Sequence, residues 1–287
     1  MAPPPTNVAG RIARVAGVVV AVAGAVGLVL VLVFLASGGR WYVVRTPSMG
    51  TAAPVGSLML TRPVDYADVA VGDVLLFRPP NAGGETYGHR VVRIDPDGTL
   101  RTKGDLNDAV DAWTIGPANV VGRVQSVWFG AGWLVRGLPP LLIGALFIWL
   151  LTRTAVPARL RLPARVVLGA LLVSAVIVML QPLVRTQLIN QGSEDGMGWV
   201  RVVPTGVMAV DAHLEGGASR TLSPGEDGTL KSWKAGRDEV WGERFVAHVS
   251  TEWWVLFGLV WSVPLLIALY AARRPPRPGP PPAAHPA

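Results

Sequence analysis

The feature that most constrains this chain is Val15 to Ala36, "VAGVVVAVAGAVGLVLVLVFLA", a run without a single charge. As a helix rising ~1.5 Å per residue it is long enough to cross a hydrocarbon core of about 30 Å. Backbone groups in hydrocarbon must satisfy one another, so a lone spanning segment has to be helical. A cleavable signal peptide has an apolar run of only ~7–15 residues, and the reading here is an uncleaved anchor. Val166 to Val184 and Trp253 to Ala272 are two further uncharged runs of spanning length. Leu134 to Leu151 is a fourth, weaker one. It contains Arg136, which can snorkel near an outer end, and Pro139–Pro140, which suit the first turn of a helix.

Composition agrees: 16% of residues are charged, against about 25% in soluble domains, and the mean hydropathy is +0.41. The chain has no cysteine, which excludes disulfides, thiol catalysis and thiolate metal sites. The net charge of +7 is concentrated in arginines beside the apolar runs. Without a nucleic-acid motif or recognition helix, that placement points to orientation in a membrane and away from nucleic acid.

Arg11 and Arg14 precede the first run, Arg153, Arg159, Arg161 and Arg165 separate the second from the third, and Arg273, Arg274 and Arg277 follow the fourth. Positive residues mark the cytoplasmic side, so all three segments belong there. The expected order is a cytoplasmic tail (1–14), an anchor (15–36), an outer region (37–133) and a second span (134–152). A cytoplasmic loop (153–165), a third span (166–184), a second outer region (185–252), a fourth span (253–272) and a proline-rich cytoplasmic tail (273–287) follow. The two proline-rich ends read as disordered. The chain is expected in the plasma membrane as a multi-pass protein.

From residue 41 onward, short Val/Leu/Ile runs bounded by Gly, Pro and Asp replace the helical pattern. "SLMLTR", "DVLLFR", "HRVVRI", "TLRTK" and "VVGRVQSVWF" read as strands of an antiparallel β domain. The "DPDG" turn joins two of them. If Ile94 faces Thr99, His89 lies opposite Gly104, next to Asp105 and the loop carrying Asp108 and Asp111. This places an imidazole beside a carboxylate without deciding which carboxylate, and the register alone favours Asp105.

Serine hydrolysis needs a hydroxyl, a base, a group that fixes the base's tautomer, and donors for the oxyanion. Ser48, His89, one of the three aspartates and N–H groups near Ser48 could supply all four.

In order and spacing, "TPSMG", "VGDVLLFR", "GHRVVRI", "TKGDLNDAVDAW" and "NVVGRV" resemble the successive boxes of type I signal peptidases, over roughly residues 10–127. The histidine ahead of "RVV" resembles the Ser-His-Asp subtype of the endoplasmic reticulum and archaea. The resemblance implies a membrane-anchored serine endopeptidase with an extracytoplasmic β-rich catalytic domain. It would remove signal peptides from exported preproteins after small residues of the Ala-X-Ala kind. It assigns Ser48 as nucleophile, His89 as general base, Asp111 as triad carboxylate, Asp105 as supporting carboxylate, and Ser48 with Thr46 as oxyanion donors. It implies no cofactor and no metal, with signal peptides, the lipid bilayer and the protein-export translocon as partners. Lys103 is the competing base. The chain departs from the family pattern at Pro47, where Gly or Ser usually precedes the nucleophile, and at Pro54, where the following proline is delayed. An imidazole base predicts activity that falls as pH drops through about 6–7.

Residues 185–252 resemble no family. "GWVRVVPTGVMAV" and the "EDGT" turn suggest a few strands, and Trp199, Trp233 and Trp241 are expected to pack in a core. His213, Asp211 and Glu215 alternate along one strand and read as a polar face, and His248 reads as interfacial. Two alternative readings stand beside a general signal peptidase. One is a peptidase dedicated to a few surface precursors, and the other is a decayed homologue acting as a membrane binding protein.

Overall fold

The computed structural model describes residues 8–80, 83–217, 219–232 and 243–272. The proline-rich ends, 1–7 and 273–287, and Trp233 and Trp241 lie outside that set. The chain forms two compact units, residues 1–132 and 133–287.

The first unit begins with helix α1 (Val8–Ala36). Val18, Leu28, Leu30 and Val33 of this helix are all more than half exposed. Residues 21–33 are all exposed and uncharged, a surface matched to a lipid surround.

Six antiparallel strands follow: β1 (Arg40–Val43), β2 (Leu58–Arg62), β3 (Val74–Phe77), β4 (Tyr87–Ile94), β5 (Leu100–Lys103) and β6 (Val120–Trp128). They form one sheet in the order β1-β2-β6-β3-β4-β5. Strands β2 to β6 coincide with the five runs read from the sequence, whereas β1 was not among them. The uninterrupted "VLLF" of β3 is explained by burial on both faces. Leu75 and Phe77 join Val69, Val91, Leu100 and Ile115 in one core. Leu76, one residue out of phase, joins Met49, Ala53 and Met59 in another. Fully burying a side chain such as Phe77 contributes about 1.5–3 kcal/mol, so this strand is the spine of the unit.

The β4–β5 hairpin differs from expectation near its turn. Ile94 pairs with Leu100, not Thr99, and Arg93 with Arg101. An extra β4 residue, Val92, is then absorbed as a bulge, after which Val91 pairs with Thr102 and Arg90 with Lys103. The bulge restores the expected register at the end where His89 sits.

The second unit contains helices α2 (Ala131–Ala155), α3 (Arg161–Leu180) and α4 (Thr251–Ala272) and strands β7 to β12. Among the described residues, three helical segments are long and apolar enough to cross a membrane: Gly17–Ala36, Ala131–Ala155 and Ala158–Leu180. Helix α4 adds a further apolar stretch, Thr251–Val260.

The apolar helices differ from the expected spans at their ends. Helix α2 starts at Ala131, which puts Pro139 and Pro140 inside it and not in its first turn. Arg136 lies over the Trp133 ring, 5.0 Å from its centroid. Helix α3 stops at Leu180, short of Val184. Gln181 turns left-handed (φ 50°) and returns its N–H to the Ile177 carbonyl, and Pro182 has no N–H with which to continue. The expected loop 153–165 shrinks to a short connection, because Arg153 belongs to α2 and Arg161 and Arg165 to α3. Arg165 Nε donates to the buried Thr152 hydroxyl (2.8 Å), tying the two helices together.

Between α3 and α4 lie two three-stranded antiparallel sheets. One is β11 (Gly228–Ser232), β8 (Met197–Pro204) and β7 (Thr186–Glu194); the other is β10 (Ser219–Leu222), β9 (Val210–Leu214) and β12 (Glu243–Ala247). Val200, Val202, Ala212, Leu214, Leu222 and Leu230 from both sheets share one core, with Phe245 packed against it. Trp199 is outside that core, contrary to expectation. It neighbours Val200, so strand alternation turns it to the other face, where it covers Gly192. His248 is no bare interfacial residue, because its Nδ1 lies 3.0 Å from Asp211 Oδ2. His213 is exposed, and no group of three acidic or histidine residues that could hold a metal occurs among the described residues.

Candidate active site

Ser48 sits in a 3₁₀ turn, Pro47–Ala52, that follows the extended residue Thr46. Pro47 occupies the first position of that turn, where a missing N–H and a fixed φ are no handicap. The departure at Pro47 therefore has a local structural reason. The Ser48 N–H falls in the first turn, ahead of any intrahelical acceptor. Gly50 interrupts the turn at φ 53° and ψ −135°, a conformation that disfavours a side chain. Pro47, Met49 and Gly50 are buried, and Met49 inserts into the core beside Met59 and Leu76. The Ser48 carbonyl accepts the Leu106 N–H (2.8 Å), which fastens this turn to the loop beyond β5.

His89 is on β4 and only 5% exposed. The Phe77 and Tyr87 rings meet its imidazole edge-on, at 6.2 and 6.1 Å between centroids. Trp113 backs Tyr87 at 5.0 Å. In this niche His89 Nε2 lies 3.1 Å from Ser48 Oγ, and Nδ1 lies 2.7 Å from Asp111 Oδ2. A carboxylate can only accept, so Nδ1 carries the proton and Nε2 is left free to accept from the serine hydroxyl.

Asp111 is held by its own loop. Its N–H donates to the Thr102 carbonyl (2.8 Å), and the Thr102 hydroxyl donates to Oδ2 (2.7 Å). The Asp111 and His89 side chains are each 6% exposed, so solvent screens their interaction little.

Asp105, favoured by register alone, is not the partner of His89. Adjacent strand residues point to opposite faces, and Arg90 pairs with Lys103, so Lys103 and Asp105 follow Arg90 and not His89. Arg90 grips Asp105 with two bonds, 2.9 Å from Nε and 2.7 Å from Nη2, and donates to the Gly72 carbonyl through Nη1. The hydrogen bond to Asp105 raises the Arg90 pKa and keeps the guanidinium charged. Asp108 is exposed on the same loop. Lys103, by the same alternation, faces away from Ser48. Thr46 Oγ1 is 3.4 Å from Ser48 Oγ, so it stands beside the nucleophile at the long end of hydrogen-bond range.

A cleft of about 420 Å³ opens at the serine. One wall is the segment Tyr42–Thr46, the other is Glu85–His89, and Met49, Met59 and Leu76 line it as well. Strand β5 covers β4 only as far as Arg90, so the outer edge of Tyr87–His89 is uncovered by pairing.

Thr102 escaped the sequence reading. Its signal was a polar residue at an inward position of the alternation Leu100, Thr102, both of which are buried. The aromatic niche of Phe77, Tyr87 and Trp113 was likewise hidden, because it assembles from three separate segments.

The chain matches no known family model, no curated protein and no solved structure. The geometry sets a serine hydroxyl against an imidazole that a carboxylate orients, an arrangement that can serve acyl transfer.

Proposed function

We propose that the protein is a membrane-anchored serine endopeptidase of the type I signal peptidase kind, cleaving exported preproteins after small residues. The observation that carries this reading is the chain of contacts Ser48–His89–Asp111, at 3.1 and 2.7 Å. The boxes quoted above supply the family, and the apolar helices supply the anchorage.

His89 Nε2 takes the Ser48 proton as Oγ adds to the scissile carbonyl carbon. The Ser48 N–H, with Thr46 beside it, stabilises the resulting oxyanion, an effect worth about 3–4 kcal/mol per donor in other hydrolases. The imidazolium returns its proton to the leaving amine, and an acyl-serine remains. Water then adds to that ester with His89 as base, which releases the new carboxyl end and restores Ser48. The substrate lies extended in the cleft, adding itself to the open edge of β4. Arginine placement puts the catalytic unit outside the cytoplasm, so the anchor confines the enzyme to the surface where signal peptides end.

The test is incubation of the full-length protein in detergent with a preprotein bearing an Ala-X-Ala site, with mass spectrometry of the products. One cut immediately after that motif supports the proposal, and an intact preprotein contradicts it.

A further inference from the structure

Two charged residues outside the triad line the cleft, and they stand on different walls. Arg45 lies on the segment leading to Ser48, and Glu85 lies just ahead of β4. Both are exposed, and neither has an ion-pair partner among the described residues. Glu85 is nonetheless positioned, because the Tyr87 hydroxyl donates to its Oε2 at 3.1 Å. Tyr87 is itself fixed between the His89 and Trp113 rings. Tyr87 and His89 share one face of β4, and Glu85 is tied to Tyr87 just ahead of the strand. Four residues separate Glu85 from the base, a main-chain reach of at most roughly 13 Å at ~3.3 Å per residue, or up to four residues along an extended substrate.

We propose that Glu85 is a specificity-determining residue that selects substrates with Lys or Arg about four residues from the scissile bond. The inference rests on the peptidase reading. A substrate strand lying along the open edge of β4 brings its residues past Glu85 at that offset. A cation there meets an unneutralised carboxylate, and an acidic residue meets a like charge. Outside the triad, Glu85 supplies the negative charge of the cleft lining, and Arg45, on the other wall, the positive one.

The test uses the full-length protein in detergent and two peptide sets with one small-residue cleavage site. Lys, Gln or Glu stands four residues before the bond in one set and four residues after it in the other. In one set kcat/KM should favour Lys over Glu by roughly five- to tenfold at low salt, consistent with exposed charge pairs, and the preference should shrink as salt rises. Glu85→Gln should remove the preference and Glu85→Lys should invert it. Equal rates within both sets, or a preference that survives Glu85→Gln, overturn the assignment of Glu85 and leave the peptidase reading intact. No cleavage of any peptide, or cleavage that persists in Ser48→Ala, overturns the peptidase reading and this proposal with it.

Discussion

Thr102 and Asp111 are joined twice: the Thr102 hydroxyl donates to Asp111 Oδ2 at 2.7 Å, and the Thr102 carbonyl accepts the Asp111 N–H at 2.8 Å. Oδ2 is also the atom that faces His89 Nδ1. The orientation of the imidazole thus depends on a buried residue outside the Ser48–His89–Asp111 chain. Hydrogen bonds to charged groups contribute about 1.5–3 kcal/mol. If that stabilisation is expressed in the transition state, Thr102→Val should lower kcat about ten- to a hundredfold, with KM little changed. Thr102→Ser should restore most of the rate. A lesion that Ser cannot rescue would indicate a packing role only.

Asp111 and Asp105 should separate cleanly in kinetics. Asp111→Asn removes the acceptor that fixes the His89 tautomer, and kcat should fall by about 10³–10⁴. Asp105→Asn breaks the exposed pair with Arg90 on the opposite face and should lower stability by about 1 kcal/mol or less while sparing the chemistry. Steady-state kinetics and Tm for the two variants decide this, and the reverse ranking would return the orienting role to Asp105.

This pair also marks how far the site could be read from the sequence. Short Val/Leu/Ile runs located β4 and the hairpin register placed His89 beside an acidic loop, but the register favoured Asp105, and only the family resemblance pointed to Asp111. Asp111 becomes the neighbour because residues 105–110 leave the strand and return, so that the Asp111 N–H reaches Thr102. That excursion depends on the Leu106 N–H bonding Ser48 across the loop, a tertiary contact with no local sequence signal. The long apolar helices were legible because the absence of charge over some twenty residues is a one-dimensional property. Their ends were not, since the stop at Gln181 depends on a left-handed backbone. In the second unit β7–β8 and β9–β10 are local hairpins, but each sheet is completed by a distant strand, β11 on β8 and β12 on β9, and Trp199 follows from strand alternation, not residue type.

Gly104 should tolerate no side chain. A Cβ there would lie 2.8 Å from the Ser48 carbonyl oxygen and 2.9 Å from Asn107 Nδ2. Relief requires the nucleophile turn or the Asp111 loop to move, and overpacking of this kind costs about 1–3 kcal/mol. Gly104→Ala should lose roughly tenfold or more in kcat, since misplacement by 1 Å can cost about a hundredfold. Unchanged kcat would mean that the Ser48 turn is not held by this contact.

Acid should loosen the hairpin that carries His89. Hydrogen bonds from Arg101 first, and then from Arg93, hold the Asp95 carboxyl below the usual carboxylate range. A carboxyl depressed in the folded state stabilises fully above its unfolded pKa of about 3.9 and ceases to do so as pH falls through the lower, folded value. The Tm of wild type in detergent should therefore drop more steeply below about pH 4 than that of Asp95→Asn. Parallel curves would show that the pair contributes nothing to folding.

The most direct measurement is single-turnover cleavage of one preprotein by wild type, Ser48→Ala and His89→Ala, each purified in full length and shown to share the same Tm. Wild type should cleave at the small-residue site, and both variants should be slower by about three orders of magnitude or more and similarly impaired, because triad members act as one unit. Equal cleavage by all three proteins would contradict a catalytic role for the Ser48–His89 contact.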